Sequence, residues 1–415
     1  MSKARHALAL ALILAASAAS AAPAAAQDGS ENASLSGYSY YSLGANDYSG
    51  SGFPDWPLSQ YAGISAELSS GSALKAEASV GFDPVGSGDV DIEVDRLSLS
   101  FSPAFGVSLS AGLMRLKWGT ARRFGAIDVL EPRPDPLDPR ARKAGLPEIQ
   151  LELIPNDWLA LVAVALPDES PRWSRCAARV EMTLQDLGLD LGLGLVKHDY
   201  RDASASMADP PRLDRLTAVL DLAWGDGPIV AYAEAQLREG RGTGYFFGGM
   251  AAFESLGGSE AWVLRATGGL EANLDLGLSR PVSLAIEYMH NGDGLDAAEA
   301  EAFSARYSAA SPGATWIPTA FSSLGGFRRN YAAASVRGLA LGRYFVASLS
   351  CLACLDSAFL ALVPSLAWEP ERGVSVDLSW TWRGSLDDSL PGEGLFLKEG
   401  NAFALTISKG WGLSY

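Results

Sequence analysis

An arginine-rich stretch is the part of this sequence whose residue types are best suited to chemistry. Between residues 115 and 143 it sets basic side chains beside acidic ones and is interrupted by prolines, which cannot join a β-ladder and favour an extended backbone. Rings of charged side chains select ions and anionic solutes where they line a narrow passage. The candidates for such a constriction are Arg115, Lys117, Arg122, Arg123, Asp128 and Glu131.

Two placements of this stretch agree with the sequence. It can fold into a hydrated lumen and narrow it, or it can stay outside as a loop held by surface ion pairs. The choice depends on the secondary-structure elements that position the stretch.

Segments elsewhere in the chain alternate between apolar and polar residues. From Val374 to Arg383, valine, leucine and tryptophan occupy one parity, and serine, aspartate, threonine and arginine occupy the other. Period-two alternation predicts strands with one apolar face, and a closed barrel in a membrane would turn the polar face to its lumen. The alternative is the solvated face of a soluble sandwich. The candidate lumen-lining residues are Glu234, Arg238, Arg265 and Arg383.

The final stretch, Asn401 to Tyr415, has the same pattern and ends on an aromatic residue. In a soluble domain such a strand would be an exposed edge prone to aggregation, whereas a barrel pairs its last strand with its first.

About 18 alternating segments recur along the chain, and short turns alternate with longer loops. We therefore predict an all-β fold, a transmembrane antiparallel up-and-down β-barrel of about 16 to 18 strands with short periplasmic turns and long external loops. The long loops include residues 119–147 and 291–329, and a short helix is expected from Leu295 to Ala310. One strand is predicted from Phe105 to Trp118. Another, from Val90 to Ser102, changes parity and needs either a bulge or an extended rim.

The N-terminus has the features of an export signal. Lys3 and Arg5 precede an alanine-rich apolar run, and Ala24 to Ala26 offer a cleavage site. Residues 1–26 are therefore predicted to be a signal peptide and residues 27–415 a single barrel domain in the outer membrane of a diderm bacterium. A transmembrane anchor is the alternative.

Charge and cysteine usage exclude several classes of site. The formal net charge of −16 argues against nucleic acid as a partner, because phosphate binding requires a basic surface. No metal-ligand spacing and no cofactor-binding motif is evident, so neither is predicted. Cys351 and Cys354 are too far apart along an extended strand for a disulfide, which would need a turn between them.

An enzymatic activity is not expected. Outside the signal peptide the histidines are His198 and His290, each at the outer end of a predicted strand. No Gly-x-Ser-x-Gly sequence marks a nucleophile for them to activate.

Two short matches resemble porin-like outer-membrane barrels related to the alginate-export type. The first is Gly112 to Gly119 followed by Ile127 to Pro132, and the second is Glu287 to Gly294. The final strand similarly resembles those of outer-membrane barrels, which implies that Phe403, Trp411 and Tyr415 form a signal for the barrel assembly machinery. The resemblance implies a barrel in contact with outer-membrane lipid.

The function expected from these features is a porin-like channel, a transmembrane transport protein that passes small hydrophilic solutes. The alternative is a non-conducting surface barrel that acts as an adhesin or as a structural protein of the outer membrane.

Overall fold

The computed structural model describes the parts of the chain that form strands and the loops closest to them. These are residues 31–48, 58–70, 74–83, 91–116, 118–130, 145–168, 174–201, 212–239, 245–246, 253–254, 262–301, 328–370, 374–386 and 400–414. The predicted signal peptide, Lys117, Glu131 and Tyr415 lie outside these ranges. Among the described residues, no helix is long and apolar enough to cross a membrane.

Strands make up nearly all of the described chain, as the alternating pattern predicts. In chain order they are β1 (Glu31–Tyr48), β2 (Leu58–Ser70), β3 (Leu74–Asp83), β4 (Asp91–Ala104), β5 (Val107–Met114), β6 (Leu146–Asn156), β7 (Leu159–Leu166), β8 (Arg175–Leu184), β9 (Leu189–Arg201), β10 (Arg212–Asp226), β11 (Ile229–Glu239), β12 (Tyr245–Phe246), β13 (Phe253–Glu254), β14 (Trp262–Leu274), β15 (Val282–Asn291), β16 (Asn330–Ala340), β17 (Phe345–Cys354), β18 (Phe359–Trp368), β19 (Val374–Ser385) and β20 (Gly400–Ser414).

The strands form one closed antiparallel barrel. Each pairs with the next along the chain, except that β12 and β13 pair only with each other and β11 pairs directly with β14. The described sheet has 18 strands, and β20 pairs with β1 from Ser34↔Ser414 to Tyr48↔Gly400. The predicted up-and-down barrel of about 16 to 18 strands is confirmed.

The two ends of the barrel differ in the length of their connections. The end at which β1 begins and β20 finishes has short turns, for example the single 3-10 turn Gln185–Leu187 and the turn after β10. Gly188 and Gly227 sit in these turns with φ of 59° and 58°, a backbone conformation that suits glycine. The opposite end carries most of the longer connections, although only four residues join β17 to β18 there, so we refer to the short-turn end and the long-loop end.

The change of parity in β4 comes from a β-bulge. Ser79 pairs with Arg96 and Val80 pairs with Val94, so Asp95 has no partner on β3. Of the two explanations open from the sequence, the bulge is the one found. A second difference concerns β5, which ends at Met114 rather than at Trp118 because the following residues leave the sheet.

Burial in this barrel is the reverse of that in a soluble protein. Leu270 and Ile286 pair directly and are 48% and 58% exposed, whereas Glu234 and Thr267 on the inward parity are only 2% and 3% exposed. An apolar outer face and a polar inner face are stable when lipid surrounds the barrel, because lipid solvates the apolar side chains. The soluble-sandwich alternative has no place for these exposed leucines and isoleucines.

Candidate functional site

The chain folds into the barrel directly after β5. We call residues 115–130 the lumen segment; all of them except Lys117 are described. Its described atoms contact inward-facing residues of strands far away in sequence, including Glu234 of β11, Glu287 of β15 and Ser350 of β17. For these residues the structure decides between the two placements left open by the sequence: the segment lies inside the barrel.

Two carboxylates of the barrel wall hold the backbone of the lumen segment. Glu234 Oε1 accepts a hydrogen bond from the Ala121 N–H at 2.6 Å, and Glu234 Oε2 accepts one from Ile127 at 3.4 Å. Glu287 accepts hydrogen bonds from the N–H groups of three consecutive residues, Arg122 at 2.9 Å, Arg123 at 3.2 Å and Phe124 at 2.5 Å. Successive N–H groups that converge on one carboxylate stabilise its negative charge.

The composition of the segment explains why it needs these acceptors. Residues 119–127 form no ladder with a strand, so their N–H groups would be buried without partners inside the barrel. Gly119 adopts φ 89° directly against the Glu234 carboxylate, where a Cβ atom would collide with it. The close approach of the segment to the wall therefore depends on glycine at this position.

Apolar side chains attach the segment to the wall nearest to β5. Leu116, Trp118, Ile127 and Leu130 are at most 6% exposed. They form one buried cluster with residues of β7 to β10, namely Val162, Val164, Leu166, Ala177, Val196 and Val219. The Leu130 carbonyl accepts a hydrogen bond from Arg175 Nη1 of β8 at 2.9 Å, which fixes the end of the described segment.

Phe124 attaches the segment to the far wall. It is 2% exposed, and its ring centroid lies 6.3 Å from that of Tyr331 on β16. The same cluster contains Met289, Ala333, Leu352, Cys354, Phe359 and Ala361. Thr267 Oγ1 on β14 donates to the Phe124 carbonyl at 2.9 Å. The segment is thus packed from β7 round to β18.

The guanidinium groups of the segment have partners of their own on the wall. Arg122 Nε lies 2.6 Å from Glu271 Oε2, and the Arg122 side chain remains 51% exposed. Arg123 Nη2 donates to Ser350 Oγ at 2.5 Å. Burial, and secondly the nearby guanidinium of Arg337, lower the pKa of Arg123. Since an arginine stays protonated in proteins, these positive charges persist inside the barrel.

A buried ion pair beside the segment joins β8 to β10 across the intervening strand β9. Arg179 Nη2 on β8 lies 2.9 Å from Asp221 Oδ2 on β10, and the Arg179 guanidinium lies 5.7 Å from the centre of the Trp118 ring. The strand between them, β9, has Gly192 at the crossing point, where a Cβ atom would collide with both side chains. A glycine in β9 therefore makes room for the pair.

A second network of buried polar groups lies at the long-loop end. Arg238 of β11 pairs with Asp293, just beyond β15, and both are at most 3% exposed.

A short helix begins close to this pair. The Asp296 and Glu299 side chains each accept a hydrogen bond from the other residue's backbone N–H at 2.9 Å, and the described helical residues are 297–301. This agrees with the start of the helix predicted from Leu295; its remaining residues lie outside the described chain.

The predicted lumen-lining residues occupy different environments. Glu234, Arg238 and Arg265 lie on inward parities of their strands but are only 2%, 3% and 9% exposed, because protein segments cover them. Arg383, on β19, is half-buried. Of this set, Glu234 binds the lumen segment and Arg238 pairs with Asp293, and the contribution of the four residues to a passage stays a prediction.

The other predicted positions are distributed as follows. Arg115 is half-buried directly after β5, and Asp128 is 7% exposed within the segment. Phe403 lies on the outer face of β20, is 49% exposed and stacks on Trp380 at 6.1 Å. Trp411 belongs to β20, and the role of the final strand in assembly stays a prediction.

Cys351, Cys354, His198 and His290 lie within strands of the barrel. β17 runs through both Cys351 and Cys354, so no turn separates them as a disulfide would require, and neither forms one. His198 and His290 belong to β9 and β15 at the long-loop end, and His290 Nδ1 lies 3.2 Å from Asn330 Oδ1. Among the described residues, no group of three His, Cys, Asp or Glu side chains is arranged to hold a metal ion.

Sequence reasoning missed the residues that position the segment. Glu287, Tyr232, Thr267 and Ser350 were not among the candidates, although Glu287 opens one of the two matches to porin-like barrels. Their hydrogen-bond partners lie between 55 and 227 residues away in the chain. No local pattern indicates such pairs.

Comparisons with known proteins agree with this barrel at the level of the fold. No protein-family model matches the sequence, and no curated protein matches it. The structure is similar to OccAB1 of Acinetobacter baumannii, with a TM-score of 0.54 and 11% identity over 92% of this chain and 97% of that one. It is also similar to OccK5 (OpdH) of Pseudomonas aeruginosa, with a TM-score of 0.51 and 11% identity over 93% and 99%.

A third similar structure is Wzi of Escherichia coli, described as an outer-membrane, carbohydrate-binding β-barrel involved in group 1 capsule assembly. Its TM-score is 0.50, with 10% identity over 91% of this chain and 83% of Wzi. This chain has the fold of outer-membrane β-barrels. The resemblance to the alginate-export type is not confirmed.

Proposed function

We propose that this protein is a channel of the bacterial outer membrane that passes small hydrophilic solutes through a passage narrowed by the lumen segment. The observation that carries the proposal is the segment itself, a charged stretch folded into a closed barrel and fixed to its wall. A closed barrel of 18 strands is wide enough to hold both a folded segment and water.

The charges beside the segment support passage of polar solutes. Arg122 is half-exposed in its pair with Glu271, and the inward parity of β19 continues the polar surface through Ser379 and Thr381. Charged and hydroxyl groups on the walls replace part of the hydration shell of a solute, whereas an apolar constriction would exclude water.

Reconstitution into planar lipid bilayers tests the proposal. Protein that migrates as a folded, heat-modifiable band is expected to produce discrete current steps, and the same sample boiled before insertion should produce none. A folded preparation without conductance would contradict the channel.

A second function, a non-conducting surface barrel that binds a partner, is favoured by one observation. The segment packs through buried apolar clusters on both sides of the barrel, as a plug would. Deletion of residues 119–130 separates the two functions: a channel keeps or increases its conductance, whereas a plugged barrel starts to conduct only after the deletion.

A further inference from the structure

The hydrogen bonds around Glu287 link three neighbouring strands to the tip of the lumen segment. Tyr232 of β11, Gly269 of β14 and Glu287 of β15 are direct partners in register, so they form one rung across the wall. Tyr232 Oη donates to Glu287 Oε2 at 2.7 Å across the middle strand. Both oxygens of Glu287 then accept N–H groups of Arg122, Arg123 or Phe124.

Gly269 makes this rung possible. A Cβ atom at position 269 would lie 2.5 Å from Tyr232 Cζ and 2.6 Å from its hydroxyl oxygen, so any other residue would push the ring aside. At the adjacent Gly268, the nearest atom to a Cβ would be the Tyr232 carbonyl oxygen at 3.8 Å, an ordinary contact. Two consecutive glycines therefore differ in whether they can accept a methyl group.

The next inward rung of the wall binds further backbone groups of the lumen segment. Glu234 pairs in register with Thr267 and accepts the N–H groups of Ala121 and Ile127, while Thr267 donates to the Phe124 carbonyl. The hydrogen bonds of the two rungs go to backbone groups between Ala121 and Ile127, and none of them involves the guanidinium groups of Arg122 or Arg123. The backbone of the segment and its guanidinium groups are therefore bound by different wall residues, the latter by Glu271 and Ser350.

We propose that Glu287 and Tyr232, with the space provided by Gly269, are positioning residues that set how far the lumen segment narrows the passage. The inference rests on the proposed channel function for its consequence, but the positioning itself can be measured without conduction. Both carboxylate oxygens are essential to it: a glutamine at 287 would present an NH₂ group to N–H groups that need an acceptor.

Hydrogen exchange read by mass spectrometry tests the positioning directly. In the folded wild-type protein the amides of residues 122–124 should be protected. In E287Q they should exchange at least about tenfold faster, because each lost hydrogen bond to a charged group shifts the equilibrium by about that factor. The amides of β14 and β15 serve as an internal control for the fold and should keep their protection.

Gly269→Ala and Gly268→Ala form the matched pair. G269A should increase exchange at residues 122–124 and G268A should not, and Tyr232→Phe should have a smaller effect in the direction of G269A. Unchanged exchange at residues 122–124 in both E287Q and G269A, with the barrel amides protected, would overturn the proposal.

Single-channel recording then tests the consequence. E287Q and G269A should show a higher or fluctuating open-channel current, and G268A should give the single level of the wild type. If the wild type conducts and the displaced segments leave its current unchanged, the link to the passage is wrong. If the wild type does not conduct, the channel function fails, and the exchange data still decide the positioning role.

Discussion

At the scale of single residues, the groups that hold the lumen segment in place differ from the groups that face solvent. Glu287 is 5% exposed and accepts backbone N–H groups, whereas the Arg122 side chain is 51% exposed and carries its charge toward the lumen. A buried carboxylate surrounded by donors contributes mainly by holding its partners in place. Changing an exposed guanidinium should therefore change the electrostatics and leave the geometry intact.

Replacing Arg122 and Arg123 together by glutamate should shift the ion preference of the proposed channel toward cations. The reason is that four units of charge change beside the passage while the backbone contacts to Glu234 and Glu287 remain. The measurement is the reversal potential across a salt gradient, with Arg343→Glu in the β16–β17 turn as a control of equal charge change per site. An unchanged reversal potential would remove the two arginines from the constriction.

Gly192→Ala should destabilise the barrel by roughly 1–3 kcal/mol, because the added Cβ collides with the buried pair of Arg179 and Asp221. Gly225→Ala is the matched control: the nearest atom to its Cβ would be Val230 Cγ2 at 3.7 Å. Urea unfolding in lipid vesicles compares the two. Equal midpoints for the two variants would show that β9 adjusts to the methyl group.

At the scale of the element, β20 shows how a strand is fitted to lipid on one side and to the lumen on the other. Leu405 is 39% exposed on the outer face, between Leu43 of β1 and Leu378 of β19 in register, while the next residue, Thr406, is 3% exposed on the inner face. One step along the chain thus changes the surroundings of a side chain completely. The same alternation lets β20 close the barrel against β1.

Leu405→Arg should lower the stability of the barrel by roughly 2–4 kcal/mol, the cost of an arginine near the lipid midplane. Ser408→Arg, on the inward parity of the same strand, should cost less than about 1 kcal/mol, because water or polar wall groups solvate it. The loss of the heat-modifiable band with rising urea concentration measures both. A larger effect at Ser408 would mean that the faces of β20 are assigned the wrong way round.

At the scale of the whole molecule, the lumen segment divides the interior unequally. Its described contacts run from β7 to β18, whereas the inward residues of β4, β5 and β19 include small serines such as Ser98, Ser110 and Ser379. Ser100 and Ser110 bond to each other across β4 and β5 at 2.7 Å. We expect the passage to follow this hydroxyl-lined side of the barrel.

Ser379→Trp should therefore reduce single-channel conductance, since a large ring would occupy the hydroxyl-lined side along which we expect the passage to run. Leu378→Trp, one residue away on the lipid face, should leave conductance unchanged. Both are read in the same bilayer recordings as the wild type. Equal conductance for all three proteins would place the passage elsewhere in the barrel.

Much of this fold could be predicted from the sequence because a strand has a period of two. The alternation from Val374 to Arg383 already separates Trp380 on the lipid face from Ser379 on the inner face, and the turn residues between segments give a strand number close to 18. The parity change in β4 required a bulge or an extended rim, and only the pairing of Val80 with Val94 decided between them.

The sequence by itself determined the strands, their faces and the presence of a charged stretch after β5. The tertiary structure alone decided that residues 115–130 lie inside the barrel and that Glu234 and Glu287 hold them there. Strand faces follow from neighbours in the chain and from the lipid outside. The position of the segment depends on partners separated from it by 113 and 163 residues, which only closure of the barrel brings together.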